Sequence, residues 1–219
     1  MCSRYSYNKD EAKLRLRDRI LVFGAVPRAN IRPTDLGPVI IPEHADLLAK
    51  GRAGSPLPAA LASGVATGAH GVSRPTIALP EERKIICVQM RWGWAVPWDK
   101  SPLINAKSET LVTLKTFQQH LDNRCLLLAD GFYEKGVLFR QHGGRPFCLA
   151  GLWREESGVQ KYTMLTTTPN ETVAQYHHRM PFILKPEQFD LWLGDGWRDA
   201  LTKPDRAPLQ KFQKQPELF

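Results

Sequence analysis

Cys2, Asn105, Glu134 and His177, scattered along the chain, together make up the equipment needed to capture an aldehyde. Cys2 stands directly behind Met1 in the run Met1-Cys2-Ser3-Arg4. Once Met1 is removed, Cys2 carries a free α-amine beside a β-thiol, a pair that condenses with an aldehyde into a cyclic thiazolidine. The two groups ordinarily titrate near ~8 and ~8.5, so each has a reactive fraction at neutral pH. A carboxylate such as Glu134 can take a proton from the amine or return one to the departing hydroxyl of a carbinolamine, and partial desolvation would tune it for that work. An imidazole such as His177 shuttles protons near neutrality and can protonate a sugar oxygen during ring opening or reversal. Asn105 offers a fixed amide that orients an amine or a substrate without changing charge. Taken singly, each has an ordinary explanation: a frayed terminus, a strand end, a turn residue, a surface imidazole.

Three polar clusters carry these groups, at 103–109, 129–134 and 176–181, each at the end of an apolar segment where a rigid scaffold can hold functional loops. The apolar runs 85–94, 124–134, 146–153 and 161–168 predict strands, separated by turns at Gly143-Gly144 and Ser157-Gly158. Connections of hairpin length favour antiparallel pairing. Leu111, Leu114, Phe117 and Leu121 are spaced to mark one face of a helix over 109–123. Further helices are expected over 8–20 with Asn8 as N-cap, after a cap at Asn170, and over 186–193 with Pro186 in the first turn.

The 219 residues suit a single domain, with a surface insertion at about 43–82 where Ala, Gly, Ser and Pro replace large apolar side chains. Thirty Lys and Arg against 22 Asp and Glu give a net charge of +8, which suits a polyanionic partner. Cys2, Cys87, Cys125 and Cys148 lack the paired spacing of a zinc site, so no metal and no cofactor is expected; the last three lie in apolar runs and read as buried thiols. With neither a signal peptide nor a membrane span in the sequence, the expectation is a cytoplasmic monomer, associated with the nucleoid if bacterial, that keeps Cys2 reduced and makes no membrane contact.

The separate motifs also resemble one family in its own order. Met1-Cys2-Ser3-Arg4-Tyr5, Asn30 with Pro33, Arg91-Trp92-Gly93, 103–110, 129–134 and 177–181 are similar to those of the SOS response-associated peptidases, the SRAP family. The resemblance implies an α+β fold with a mainly antiparallel, barrel-like β core and peripheral helices. It also implies an abasic-site sensor in the SOS response to DNA damage, with single-stranded DNA as partner. Met1 would be lost, by an autopeptidase activity or otherwise, and Cys2 would form a covalent thiazolidine with the ring-opened sugar in a lyase-like step. Asn105 would hold the Cys2 amine, Glu134 would assist Schiff-base chemistry, and His177 would exchange protons in ring opening and reversal. Arg4, Lys107 and Arg179 match positions that bind the DNA backbone, and Trp98 matches an aromatic at the DNA channel, though it also reads as a core residue beside Trp92 and Trp94.

Four departures stand out. Ser3 replaces a glycine beside the nucleophile, which is expected to cost backbone freedom and rate. Lys107 replaces an arginine and gives up its bidentate fork. Lys135 stands where tryptophan is typical and would lower the Glu134 pKa if it paired with it. The stretch 200–219 does not match the family's closing strand. Two rival functions fit the same residues: a thiol peptidase acting in trans through Cys2 and His177, and a non-covalent single-strand-binding module that needs only basic surface.

Overall fold

The computed structural model describes residues 2–8, 11–16, 19–24, 28–42 and 85–212. Met1–Ile41 with Ile86–Phe219 form one compact unit and Pro42–Ile85 a second; the site and core described below belong to the first. The expected insertion at 43–82 lies outside the described residues.

Seventeen strands dominate the described residues. In chain order they are β1 (Tyr5–Tyr7), β2 (Glu11–Leu16), β3 (Arg19–Gly24), β4 (Arg28–Ile31), β5 (Leu36–Pro42), β6 (Ile85–Trp92), β7 (Trp94–Val96), β8 (Asp99–Leu103) and β9 (Asn105–Lys107). There follow β10 (Arg124–Ala129), β11 (Gly131–Glu134), β12 (Val137–Arg140), β13 (Phe147–Glu156), β14 (Val159–Thr167), β15 (Met180–Pro181), β16 (Ile183–Leu184) and β17 (Gln210–Phe212). The α-helices among the described residues are short: α1 (Lys115–Gln118), α2 (Glu171–Ala174), α3 (Phe189–Leu193) and α4 (Trp197–Leu201).

The larger sheet runs β14-β6-β5-β10-β13 and closes on itself, because β13 also pairs with β14. β10 pairs antiparallel with β13 from Arg124↔Leu152 to Ala129↔Phe147, and β13 with β14 from Gly151↔Met164 to Glu156↔Val159. β6 and β9 join β14 in parallel. Closure removes the free edges that an open sheet would expose. Every residue of β10 is buried, and the strand reads as a continuous apolar run because both its faces are covered. Trp192 of α3 lies against it and donates from Nε1 to the Cys125 carbonyl at 2.9 Å, while Arg124 returns bonds to the carbonyls of Trp192 and Gly194. This is the mainly antiparallel, barrel-like core with peripheral helices that the sequence predicts.

A second sheet, β17-β12-β11-β1-β4, holds the N-terminal strand. Tyr5 of β1 is fully buried, and its hydroxyl lies 2.7 Å from that of Tyr162 on β14. The Tyr5 ring meets Trp92 edge-on at 5.4 Å. A Cβ at Gly37 would come within 2.2 Å of the Tyr5 hydroxyl, so β5 needs a glycine there to admit the ring.

Several elements differ from expectation. In place of a helix over 8–20 stands the hairpin β2–β3, paired from Glu11↔Gly24 to Leu16↔Arg19. In place of one helix over 109–123 there is a 3-10 turn at Ser108–Thr110 and the short α1. The strand expected over 124–134 breaks at Asp130 into β10 and β11. The end of the described chain does supply a closing strand, since β17 pairs with β12 from Leu138↔Phe212 to Arg140↔Gln210. No helix among the described residues is long and apolar enough to cross a membrane.

Candidate active site

The site forms where the N-terminal segment passes between β11 and β9. Asp130, at the break between β10 and β11, clamps that segment: its carboxylate accepts from Ser6 Oγ at 2.6 Å and from the Asn8 backbone N–H at 2.7 Å. Backbone bonds continue the clamp, from Asp130 N–H to the Ser6 carbonyl at 2.8 Å and from Tyr133 N–H to the Arg4 carbonyl at 2.9 Å. With Tyr5 anchored in the core, Cys2 is drawn inside, and it is 1% exposed.

Asn105 opens β9, which is pinned by parallel pairing with Met164–Thr166 of β14. Its Nδ2 donates to the Cys2 carbonyl at 2.9 Å. Its Oδ1 is buried without a hydrogen-bond partner among the described residues, an acceptor held next to the Cys2 backbone. A fixed, unsatisfied acceptor is costly in a core and useful in a site that will receive an ammonium or an N–H.

Glu134 ends β11 and is 6% exposed. The chain then reverses through Lys135 and Gly136, with φ of 47° and 81°, the paired left-handed conformations of a tight two-residue hairpin turn. Lys135 is thus an exposed turn residue. His177 follows α2, which Asn170 caps by accepting from Val173 N–H at 3.0 Å, and the His177 N–H bonds the Val173 carbonyl at 2.9 Å. The Arg179 backbone N–H lies 3.0 Å from His177 Nδ1. The Arg179 carbonyl lies 3.2 Å from the same nitrogen, so Nδ1 accepts from the N–H when the ring proton is on Nε2 and donates to the carbonyl when it carries a proton itself. That Nε2 lies 4.0 Å from Glu134 Oε1. His178 stacks on His177 with ring centroids 4.3 Å apart.

Burial pushes the Cys2 thiol up to about 12, and the negative charge of Glu134 adds to the rise against the bonds from Arg4 and Tyr133 that oppose it. The thiol is therefore protonated, and Sγ donates to the Arg4 carbonyl at 3.3 Å. Cys2, Asn105, Glu134 and His177 come together, as a carboxylate and an imidazole 4.0 Å apart beside a buried thiol whose residue Asn105 holds through its carbonyl.

The other expected site residues are arranged less uniformly. Arg4 lies with its guanidinium 4.1 Å from the Tyr133 ring centroid. Lys107 is exposed, and strand alternation puts it on the same face as Asn105. Trp98 is 66% exposed at the turn between β7 and β8, so it is not a core aromatic. Arg179 is 7% exposed, and its NH1 and NH2 each donate to Glu109 at 2.8 Å while NH2 also reaches the Thr166 carbonyl at 2.6 Å. This fork holds the Glu109 carboxyl below its ordinary range. Glu109 and Asp130 carry no chemical signal of their own in the sequence beyond being acids inside clusters that also hold a site residue. Ser3 is exposed and does not adopt a positive φ, so the backbone here does not require the glycine it replaces. Among the described residues no group of His, Cys, Asp and Glu could hold a metal ion. Cys125 and Cys148 are buried thiols as expected, and Cys87 is only partly so.

Known proteins resemble this chain in sequence and in fold. The abasic site processing protein YoqW of Bacillus subtilis is 35% identical over 125 residues, which cover 48% of this chain and 56% of the relative. YedK of Escherichia coli is 28% identical over 118 residues, covering 47% of this chain and 52% of YedK. HMCES of Gallus gallus is 28% identical over 151 residues, covering 49% of this chain and 45% of that protein. The chain spans about half the length of the curated relatives it matches. Two crystal structures from Bordetella bronchiseptica share its fold. One superposes with a TM-score of 0.61 at 22% identity, over 96% of this chain and 98% of that one. The other, a phage-related protein, gives 0.63 at 17% identity, over 96% and 93%. The description SOS response associated peptidase (SRAP) matches residues 1–216, and the chain belongs to that family.

Proposed function

We propose that this protein forms a covalent thiazolidine with abasic sites in single-stranded DNA through Cys2, after Met1 has been removed. The observation that carries the reading is the convergence of Asn105 on the Cys2 backbone with the Glu134–His177 pair beside a buried thiol. Curated relatives that bear the name abasic site processing protein support the same substrate.

Hydrolysis of the Met1–Cys2 bond consumes one water and frees the α-amine. With His177 and Glu134 relaying the protons, the C1 hydroxyl gives one up and the ring oxygen receives one as the ring C–O bond breaks, and the deoxyribose opens to its aldehyde. The Cys2 amine then adds to the aldehyde carbon to give a carbinolamine; protonation of its hydroxyl releases water and leaves an imine. Sγ adds to the imine carbon, the thiol proton moves to nitrogen, and the ring closes. The sum is aldehyde plus aminothiol giving thiazolidine plus one water. Asn105 Oδ1, buried without a partner among the described residues, accepts from the amine in this scheme and orients its lone pair during the first addition.

A protonated, buried thiol suits this order, in which nitrogen attacks first. It suits a peptidase acting in trans poorly, because such an enzyme needs a thiolate ready at the start. Incubating the protein with a single-stranded oligonucleotide holding one abasic site, then separating under denaturing conditions, is the test. A covalent band is expected for the wild type and none for Cys2→Ala, and intact mass should show that the reacting fraction lacks Met1. A full band from Cys2→Ala, or from protein that retains Met1, would sink the mechanism.

A further inference from the structure

The ribbon β7–β8 carries Trp98 at its turn, yet two strands alone are marginal in water. Its base is tied to the barrel by a group of charges that the Cys2 chemistry does not use. Glu156, at the end of β13, accepts from the Ala95 N–H of β7 at 3.0 Å through Oε1 and at 3.3 Å through Oε2. It also accepts from Arg154 Nε at 2.7 Å and from Lys161 Nζ at 2.5 Å. Arg154 NH2 in turn donates to the Ala95 carbonyl at 2.5 Å, so both backbone groups of Ala95 are held by side chains of β13. The Arg154 guanidinium lies 4.6 Å from the centroid of Trp94, whose Nε1 donates to the Lys161 carbonyl at 3.1 Å.

The clasp is largely withdrawn from solvent. The side chains of Arg154 and Glu156 are 16% exposed and that of Lys161 is 20%, unlike surface ion pairs, which contribute little. Burial opposes the ionised Glu156, but the bonds from Lys161, Arg154 and Ala95 prevail and hold its carboxyl below the ordinary range. Asn105, by contrast, is fixed independently through β14. Loosening the clasp would free the ribbon and leave the reacting groups where they are.

We propose that Glu156 is a positioning residue for DNA binding: with Arg154 and Lys161 it sets the angle of the β7–β8 ribbon on the barrel and so aims Trp98 at a base of the bound single strand. The inference rests on the function proposed above and adds the part of the fold that decides affinity. An exposed aromatic stacks usefully on a base only if its backbone is held, since ordering a loose ribbon would cancel the gain.

The test measures crosslinking rate against the concentration of a single-stranded oligonucleotide with one abasic site, for wild type, Glu156→Ala, Glu156→Gln, Trp98→Ala and the Glu156→Ala/Trp98→Ala double variant. Glu156→Ala is expected to raise the half-saturating concentration about tenfold, a typical value for one stacked base, with the rate at saturation unchanged. Glu156→Gln keeps an acceptor for Ala95 and should recover part of the loss. In the Trp98→Ala background Glu156→Ala should add almost nothing, because the two act through one contact. Unchanged half-saturation in Glu156→Ala, or full additivity with Trp98→Ala, overturns the proposal. If Glu156→Ala does not fold, Lys161→Met removes one arm of the clasp and is read in the same cycle. If the wild type forms no covalent band, the chemical reading fails; the same cycle run on equilibrium binding of an intact single strand then decides the positioning role separately.

Discussion

Burial governs the Cys2 thiol before any substrate arrives. With its titration pushed up to about 12, the thiolate is a minute fraction at neutral pH, and protonation is favoured until well above the ordinary thiol range of ~8.5. Alkylation by iodoacetamide, followed by peptide mass analysis in protein that retains Met1, should therefore be slow at Cys2. Its rate should climb about tenfold per pH unit from pH ~7 to ~10 without levelling. A plateau near ~8.5 would show an ordinary, accessible thiol instead. The four candidate residues are legible in the sequence because their types suit aldehyde capture. Their partners are not. Nothing in the run around Arg179 says that Glu109 will occupy both terminal nitrogens of the guanidinium, and nothing around His177 says that the Arg179 backbone will hold its Nδ1. Those contacts join segments far apart in sequence or depend on a local backbone turn, and residue identity encodes neither.

Among the elements, the strands that make the barrel were readable because long apolar runs between turn residues have few other solutions. The segment at 11–16 is a strand where a helix is expected, and its pattern accounts for it: Glu11, Lys13 and Arg15 alternate strictly with Ala12, Leu14 and Leu16, which is the period of a strand. Over 109–123 the helical spacing is real but interrupted. Thr110, Val112 and Thr113 disfavour a continuous helix, and of the supposed stripe Leu111 and Phe117 are buried while Leu114 is 47% exposed. The small β1 depends on an element-to-element contact that no local pattern reveals, the hydroxyl pair of Tyr5 and Tyr162 inside the barrel. Removing one hydroxyl strands the other in a dry core. Tyr5→Phe and Tyr162→Phe should each lower unfolding free energy by ~1–3 kcal/mol in urea denaturation, and the double variant by clearly less than their sum. Strict additivity would mean that the two hydroxyls do not depend on each other.

At the scale of the whole molecule, the charge of +8 favours any polyanion and says nothing about lesions. The division of labour follows from where charge and burial sit. Lys107 is exposed on the face that carries Asn105, whereas the guanidinium of Arg179 is withdrawn and engaged by Glu109. A cation free to release counterions on binding DNA is one that solvent ions already reach, so Lys107 should contribute to salt dependence and Arg179 should contribute mainly through the order it imposes on the His177 loop. On a single strand each phosphate neutralised contributes ~0.7 to the slope of log affinity against log salt. Lys107→Ala should accordingly reduce that slope by ~0.7, measured by fluorescence polarisation with an intact single-stranded oligonucleotide from ~50 to ~200 mM salt. Arg179→Met should leave the slope nearly unchanged, yet slow crosslinking at saturating abasic DNA, because the loop that presents His177 loses its anchor on Glu109 and Thr166. An equal change of slope in the two variants would show instead that Glu109 gives way and phosphate takes its place on Arg179.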